Sequence, residues 1–181
     1  MPPSIAEVTA RLTQPGAMFE IEERVIRGVP TRTWKNAAPS LPAVLTTSRE
    51  HGDKPFLVYE DERTSFEQHF RQCARLARCL VDDWGLRKGD RVAIAMRNFP
   101  EWSLAFWAAA AAGAVVVPLN AWWTGDELEY GLQDSGSRVL FCDAERAERI
   151  APHLDALALE RVVVARGESP IRRAKIGRAH V

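Results

Sequence analysis

The most regular pattern in the chain lies between Arg91 and Asn120, where an apolar run, an alanine-rich stretch and a second apolar run follow one another. Arg91 to Met96 has the length and composition of a strand. Pro100 stands where a helix can lose an amide donor at no cost, so a helix is expected to start there. From Trp102 to Ala112 nearly every side chain is apolar or alanine, which suits a helix packed on a sheet, and Gly113 stops it. Val115-Val116-Val117 is β-branched without alternation, as expected of a parallel strand buried on both faces. The three pieces together predict a right-handed β-α-β crossover.

Similar signals extend in both directions. A long helix is expected from Ser65 to Trp84, with Phe66, Phe70, Cys73, Ala77, Leu80, Val81 and Trp84 on one stripe and with His69 and Arg71 off it. Thr64 and Glu67 have capping-box spacing, and Gly85 provides a left-handed exit. A second capping box, Thr124 with Glu127, opens a helix to Gln133, and Gly136 ends it before a strand from Arg138 to Cys142. Ala144 to Leu154 reads as a further helix and Arg161 to Val164 as a strand. Upstream, a helix from Leu41 to Arg49 leads into a strand from Pro55 to Tyr59, and Asp61-Glu62 turns a hairpin into Arg63 to Ser65.

Residues 1–40 read as a peripheral arm, with a short helix near Ser4 to Leu12, an extended piece near Phe19 to Ile26 and a proline-rich connection around Pro30, Pro39 and Pro42. Residues 41–166 alternate strand and helix, which predicts an α/β fold, a mostly parallel sheet with helices on both faces, followed by a tail at 167–181.

Composition narrows the function. Lys plus Arg and Asp plus Glu are 24 each, so no net field favours nucleic acid or an anionic membrane. The longest apolar window, Trp102 to Leu119, contains Gly113 and Pro118 and is better read as helix plus strand than as a membrane span. Residues 1–18 lack the charge and apolar pattern of a secretory signal. Cys73, Cys79 and Cys142 have no metal-ligand spacing; an odd count in an α/β chain points to reduced thiols in the cytoplasm, and small core residues are the default reading.

Three groups invite a chemical assignment. His51, His69 and His153 could form a base or metal cluster, but their spacing matches no ligand pattern, and surface or capping roles are expected. Asp134-Ser135-Gly136-Ser137 lacks a Gly-x-Ser-x-Gly elbow and sits at a helix end, where these are ordinary exit residues. Trp122 and Trp123 could line an acyl tunnel, against a default role of covering the sheet edge. Neither a Gly-x-Gly-x-x-Gly nor a phosphate-binding Gly-x4-Gly-Lys-Ser/Thr loop occurs. No catalytic, cofactor-binding or metal residue is therefore assigned from the sequence, and the α/β pattern alone implies no chemistry.

Several motifs in order and spacing do carry a resemblance. Gly89-Asp90-Arg91-Val92-Ala93-Ile94, Asn98-Phe99-Pro100-Glu101-Trp102 and Ala112-Gly113-Ala114-Val115-Val116-Val117-Pro118-Leu119-Asn120 resemble the N-terminal part of the adenylate-forming acyl-CoA synthetases, a superfamily that includes luciferases and peptide-synthetase adenylation domains. Thr64-Ser65-Phe66-Glu67-Gln68 is similar to the family's opening of the first long helix, and Trp122 to Leu128 to the helix after the Pro-Leu-Asn loop. Phe19 to Glu23, Arg27 to Pro30 and Trp34 to Ala37 resemble the start of fatty acyl-CoA ligases. The resemblance implies that the intact enzyme activates a small carboxylic acid, a fatty acid in particular, with ATP and Mg²⁺ through an acyl-adenylate and passes it to coenzyme A. A carrier protein as acceptor, or a free-standing non-catalytic α/β binding module, is the alternative.

The resemblance covers Phe19 to Arg166 and stops short of the family's catalytic equipment. The Ser/Thr/Gly-rich phosphate loop, the aromatic-Gly-x-Thr-Glu segment, the ribose-binding Asp and the C-terminal lysine of such enzymes have no counterpart in the 181 residues. The expectation is an N-terminal fragment, inactive alone and binding none of those cofactors. Ile176-Gly177-Arg178-Ala179-His180-Val181 is what ATC GGA AGA GCA CAC GTC encodes, a string that resembles a sequencing-library adapter, and Lys175 extends the match. Residues 175–181 are therefore expected to be a read artefact on a gene interrupted near Ala174.

Overall fold

The computed structural model describes residues 2–167, which divide into two units at Ser40. The tail from 168 onward, and with it the adapter reading, lies outside the described residues. In the first unit, α1 (Ile5–Thr13) begins at Ser4, whose hydroxyl accepts the Glu7 amide while the Glu7 carboxylate accepts the Ser4 amide. β1 (Ile21–Ile26) and β2 (Val29–Trp34) form an antiparallel hairpin, turned by Arg27 and Gly28 at positive φ. Pro30, read from sequence as part of a connection, instead pairs with Val25 inside β2. A two-stranded sheet consists only of edges, where a missing amide donor is tolerated.

The second unit opens with α2 (Leu41–Thr47), which tightens into a 3₁₀ turn over Ser48–His51. β3 (Pro55–Tyr59) and β4 (Glu62–Ser65) make the expected hairpin. α3 (Phe66–Arg78) then starts one residue later than the capping-box spacing predicted. Thr64 stays in β4 opposite Leu57, while Ser65 caps the Gln68 amide at 3.2 Å and Gln68 returns the bond to Ser65 at 2.9 Å. Glu67 is left free to pair with Arg49 and Arg71, and those guanidiniums hold its carboxyl down at about 2. After Arg78 the helix widens into a π turn over Cys79–Asp83 and leaves through Gly85 at φ +65°.

From there the predicted alternation holds. β5 (Arg91–Ala95) leads through α4 (Pro100–Ala111) to β6 (Val115–Pro118), and α5 (Gly125–Ser135) leads to β7 (Val139–Asp143). α6 (Ala144–Ile150) gives way at Pro152 to a 3₁₀ turn over Ala151–Ala156 and then β8 (Arg161–Ala165). The four strands β5 to β8 form one parallel sheet in the order β6-β5-β7-β8. Val92, Ile94, Met96, Val139 and Phe141 pack against Leu80, Ala105, Ala108 and Ala109, so α4 and the end of the α3 segment cover one face. Ala93, Ala95, Leu140 and Cys142 pack against Leu128, Leu132, Ala147 and Ile150, so α5 and α6 cover the other. Helices on both faces of a parallel sheet are thus observed, as expected.

One strand departs from its reading. β6 was expected to be buried on both faces, yet Val115 is 50% exposed, because β6 has a partner on one side only among the described residues. A continuous β-branched run reports strand character, and its burial depends on its place in the sheet. The contrast with β5 is measurable by urea denaturation. Ile94→Ala, in the buried centre, is expected to cost about 2–5 kcal/mol, and Val115→Ala on the edge less than about 1 kcal/mol.

Candidate functional site

In an open parallel sheet the chain leaves a crevice at the carboxyl ends of two neighbouring strands whose connections run to opposite faces. Here that point lies between β5 and β7: the chain leaves β5 through α4 on one face to reach β6, then returns through α5 on the other face to β7. The residues just past the strand ends are therefore Arg97 to Phe99 after β5, Asn120 to Trp122 after β6, and the first turn of α6 after β7.

A polar knot forms there. Asp143, ending β7, caps α6 by accepting the Arg146 amide at 3.0 Å and accepts the Arg97 amide at 2.9 Å. The Arg146 side chain is 1% exposed; its Nη1 donates to both Asp143 oxygens at 3.3 and 3.2 Å and to Glu145 at 2.9 Å, and its Nε donates to the Ala121 carbonyl at 2.5 Å. Arg146 Nη2 is buried without a hydrogen-bond partner among the described residues. Two guanidiniums flank Trp122, that of Arg97 at 5.1 Å and that of Arg146 at 5.9 Å from the ring centre.

Above the knot is a cavity of about 410 Å³ lined by Tyr59, Arg97, Asn98, Phe99, Ala121 and Trp122. The Tyr59 and Phe99 rings meet edge to face at 5.7 Å, and Arg166 lies over both while pairing with Glu62 and Glu101. Aromatic faces, an amide and a guanidinium suit a planar or anionic group. Of the six lining residues Tyr59 alone carries a group that titrates below the range of a guanidinium, and the others offer an amide, a guanidinium and apolar or aromatic surface.

The three histidines are not brought together. His51 rests on Phe66 at 4.6 Å. His69, expected off the apolar stripe in a surface or capping role, is buried: its ring packs edge-on to Phe56 at 4.7 Å and its Nε2 meets the Ser103 hydroxyl at 3.0 Å. Burial pushes its pKa down to about 4. The stripe missed it because α4 and the β3–β4 hairpin widen the covered face beyond what spacing along one helix defines. His153 instead meets two carboxylates of α5, with Nδ1 2.6 Å from Glu129 and Nε2 3.6 Å from Asp126.

The other candidates are placed as follows. Ser135 and Gly136 offer their carbonyls to Arg91, and Gly136 takes the left-handed exit at φ +58°. Trp123 packs with Leu119 under α5, where a side chain at Gly131 would approach it to 2.9 Å, whereas Trp122 stands at the crevice mouth, 69% exposed. All three cysteines are free thiols, and burial pushes Cys73 and Cys142 up to about 12. Arg97, Asp143 and Arg146 were not singled out from sequence, and Asn98 only as part of a family motif. Their signal was positional: Arg97, Asn98 and Asp143 stand at the ends of apolar runs that become parallel strands, and Arg146 in the first turn of the helix that follows one.

A family profile described as AMP-binding enzyme matches residues 45–178. A long-chain-fatty-acid–CoA ligase of Escherichia coli is 30% identical over 125 residues, covering 69% of this chain and 22% of that protein. The long-chain-fatty-acid–CoA ligase FadD13 of Mycobacterium tuberculosis is 37% identical over 103 residues, covering 55% of this chain and 20% of its own length. Among solved structures, the anthranilate CoA ligase AuaEII in complex with anthranoyl-AMP superposes with a TM-score of 0.69 at 26% identity, over 75% of this chain and 26% of that one. The chain therefore spans about a fifth of the length of these two curated relatives. Among the described residues, no helix is long and apolar enough to cross a membrane.

Two outcomes test the geometry. Since His69 is neutral in the fold with a pKa near 4, against an ordinary 6.5, the unfolded chain alone takes up its proton as pH falls from 6.5 to 4. Stability is then lost across that window by up to about 3 kcal/mol, and urea midpoints at pH 7 and 4.5 should differ less in His69→Gln than in the parent. Arg146→Met leaves the Asp143 carboxylate buried beside two amides alone, and is expected to cost about 3–5 kcal/mol in the same assay, partly recovered by Asp143→Asn in the double variant.

Proposed function

The chain belongs to the AMP-binding enzyme family, and from that premise we propose that it is the N-terminal part of an ATP-dependent acyl-CoA ligase acting on a fatty acid. The observation that carries the reading is the family match over 45–178 on a doubly wound sheet whose relatives are named as CoA ligases. Those names also favour coenzyme A over a carrier protein as the thiol acceptor. Nothing in the matches favours a free-standing binding module.

ATP, Mg²⁺ and coenzyme A are the cofactors of this proposal, and the crevice does not fit Mg²⁺ or the triphosphate of ATP. Its lining holds no carboxylate for a hard cation, and no run of glycine and hydroxyl residues that would turn successive amides toward a triphosphate. No step of the adenylation is therefore assigned to these residues. The role proposed for the chain is scaffold: it buries the sheet, and it places Arg97, Asn98 and Trp122 at the strand ends, where a planar or anionic group would lodge.

The purified 181-residue chain, given ATP, Mg²⁺ and either palmitate or benzoate, is expected to release no pyrophosphate above the blank. Release above the blank would overturn the proposal that it is inactive alone. Reading clean genomic DNA past the codon of Ala174 tests the rest. A frame that continues into a serine-, threonine- and glycine-rich loop, and whose product forms acyl-CoA, supports the ligase; a product that acylates only a carrier protein overturns the choice of acceptor.

A further inference from the structure

On the face of the sheet covered by α5 and α6, outside the crevice, three metal-ligating side chains converge from two segments. Asp126 and Glu129 stand three residues apart on α5, hence on one side of that helix. His153 reaches them from the 3₁₀ turn that follows α6. One ligand atom from each of the three lies within 4.8 Å of the others.

The arrangement around the imidazole is ordered. Glu129 Oε2 lies 2.6 Å from Nδ1 and the Asp126 carboxylate 3.6 Å from Nε2; with the ring proton on Nδ1, shared with Glu129, the lone pair of Nε2 is the one offered to a metal on the Asp126 side. Two ligands each about 2.1 Å from a tetrahedral zinc stand about 3.4 Å apart, so this gap is close to that of a metal-bound pair. A carboxylate on the far nitrogen is also what metal-bound histidines ordinarily have, since it fixes the tautomer and raises the basicity of the ligating nitrogen.

The surroundings leave room and charge for a cation. Nε2 and Asp126 open on a cavity of about 480 Å³ lined by Trp122, Thr124, Gly125, Asp126, Arg149 and His153. Gly125 makes that approach possible, because a Cβ there would lie 2.6 Å from His153 Nε2 and 2.6 Å from the Arg149 carbonyl. The neighbouring cation, Arg149, is already engaged: its Nη1 donates to the Trp123 carbonyl at 2.8 Å and its Nη2 pairs with Glu145. Asp126 is 93% exposed and makes no other ion pair among the described residues.

The geometry points to a binding site for a divalent transition-metal ion, with His153 Nε2 and Asp126 as ligands, Glu129 as the acceptor that orients the imidazole, and water in the remaining positions. An imidazole with carboxylate oxygen selects the zinc, nickel and copper class over magnesium or calcium, which take oxygen ligands. Because the ligands come from α5 and from the turn after α6, the ion would tie those segments together, and binding would raise the Tm in a concentration-dependent way. This site is independent of the ligase reading and requires no acyl or nucleotide substrate.

The test is calorimetric titration of the untagged 181-residue chain, in a Cys79→Ser background, with Zn²⁺ alone, and absorption spectroscopy with Co²⁺ alone. One equivalent is expected to bind, with a Co²⁺ spectrum free of thiolate charge transfer. Asp126→Asn, at a side chain too exposed to matter for folding, and His153→Ala should each weaken binding by more than about tenfold, and Glu129→Gln by about tenfold, while His51→Ala leaves it unchanged. Absence of binding, a thiolate band, or an affinity indifferent to Asp126→Asn and His153→Ala would each overturn the site. Binding of Mg²⁺ as tight as that of Zn²⁺ would overturn the choice of ion.

Discussion

Everything in the larger unit hangs on the lateral pairing of β5 with β6 on one side and β7 on the other. Val92 to Ala95 are at most 1% exposed, so the strand has no polar side chain with which to announce its register. Size does it instead. Val92, Ile94 and Met96 face α4 and the end of the α3 segment, while Ala93 and Ala95 face α5 and α6. A slip by one residue would drive isoleucine and valine into slots shaped for alanine and leave voids opposite, which is costly in both directions.

Polar ties then secure the two ends of that strand. At its start Arg91 donates at 2.8 Å to the carbonyls of both Ser135 and Gly136, satisfying acceptors that the end of α5 would otherwise leave open. Beside it, Arg138 pairs with Asp90 and with Glu160, linking the starts of β5, β7 and β8. At the other end the Arg97 amide is held by Asp143. The motifs that carried the family resemblance divide along this line. Gly89-Asp90-Arg91 belongs to the strand starts, with the Gly89 amide bonded to the Gly113 carbonyl at 3.0 Å, and Asn98-Phe99 belongs to the crevice.

This division explains what was legible. The β-α-β unit could be read because Pro100, Gly113 and the apolar runs are local signals, and local signals fix elements. The capping residue of α3 was misplaced by one because Thr64-Ser65-Phe66-Glu67-Gln68 offers two overlapping boxes, and the choice between them is made by the pairing of Thr64 with Leu57. His69 and Val115 were misjudged for a related reason: burial is conferred by neighbours far along the chain, Phe56 and Ser103 in one case and the order of strands in the other. The His153 corner was illegible for the same cause. Asp126 in the first turn of α5 and Glu129 in the next are ordinary acidic helix positions until the break at Pro152 swings the imidazole back to them.

The crevice itself shows why fold and family do not by themselves supply chemistry. Catalysis by charge stabilisation requires donors held in readiness and not already neutralised where charge develops. Arg146 is held, at 1% exposure, but Asp143 and Glu145 have largely neutralised it, and a single unpartnered Nη2 is what remains of its donor capacity. Arg97 is the opposite case, open to the cavity and, among the described residues, held through its backbone amide and the Trp122 face. One cation is fixed but spent and the other is available but loosely held. Such a pair is suited to recognising an anionic or planar group, and the two requirements of preorganised charge, fixed position and free donor capacity, are divided between its members.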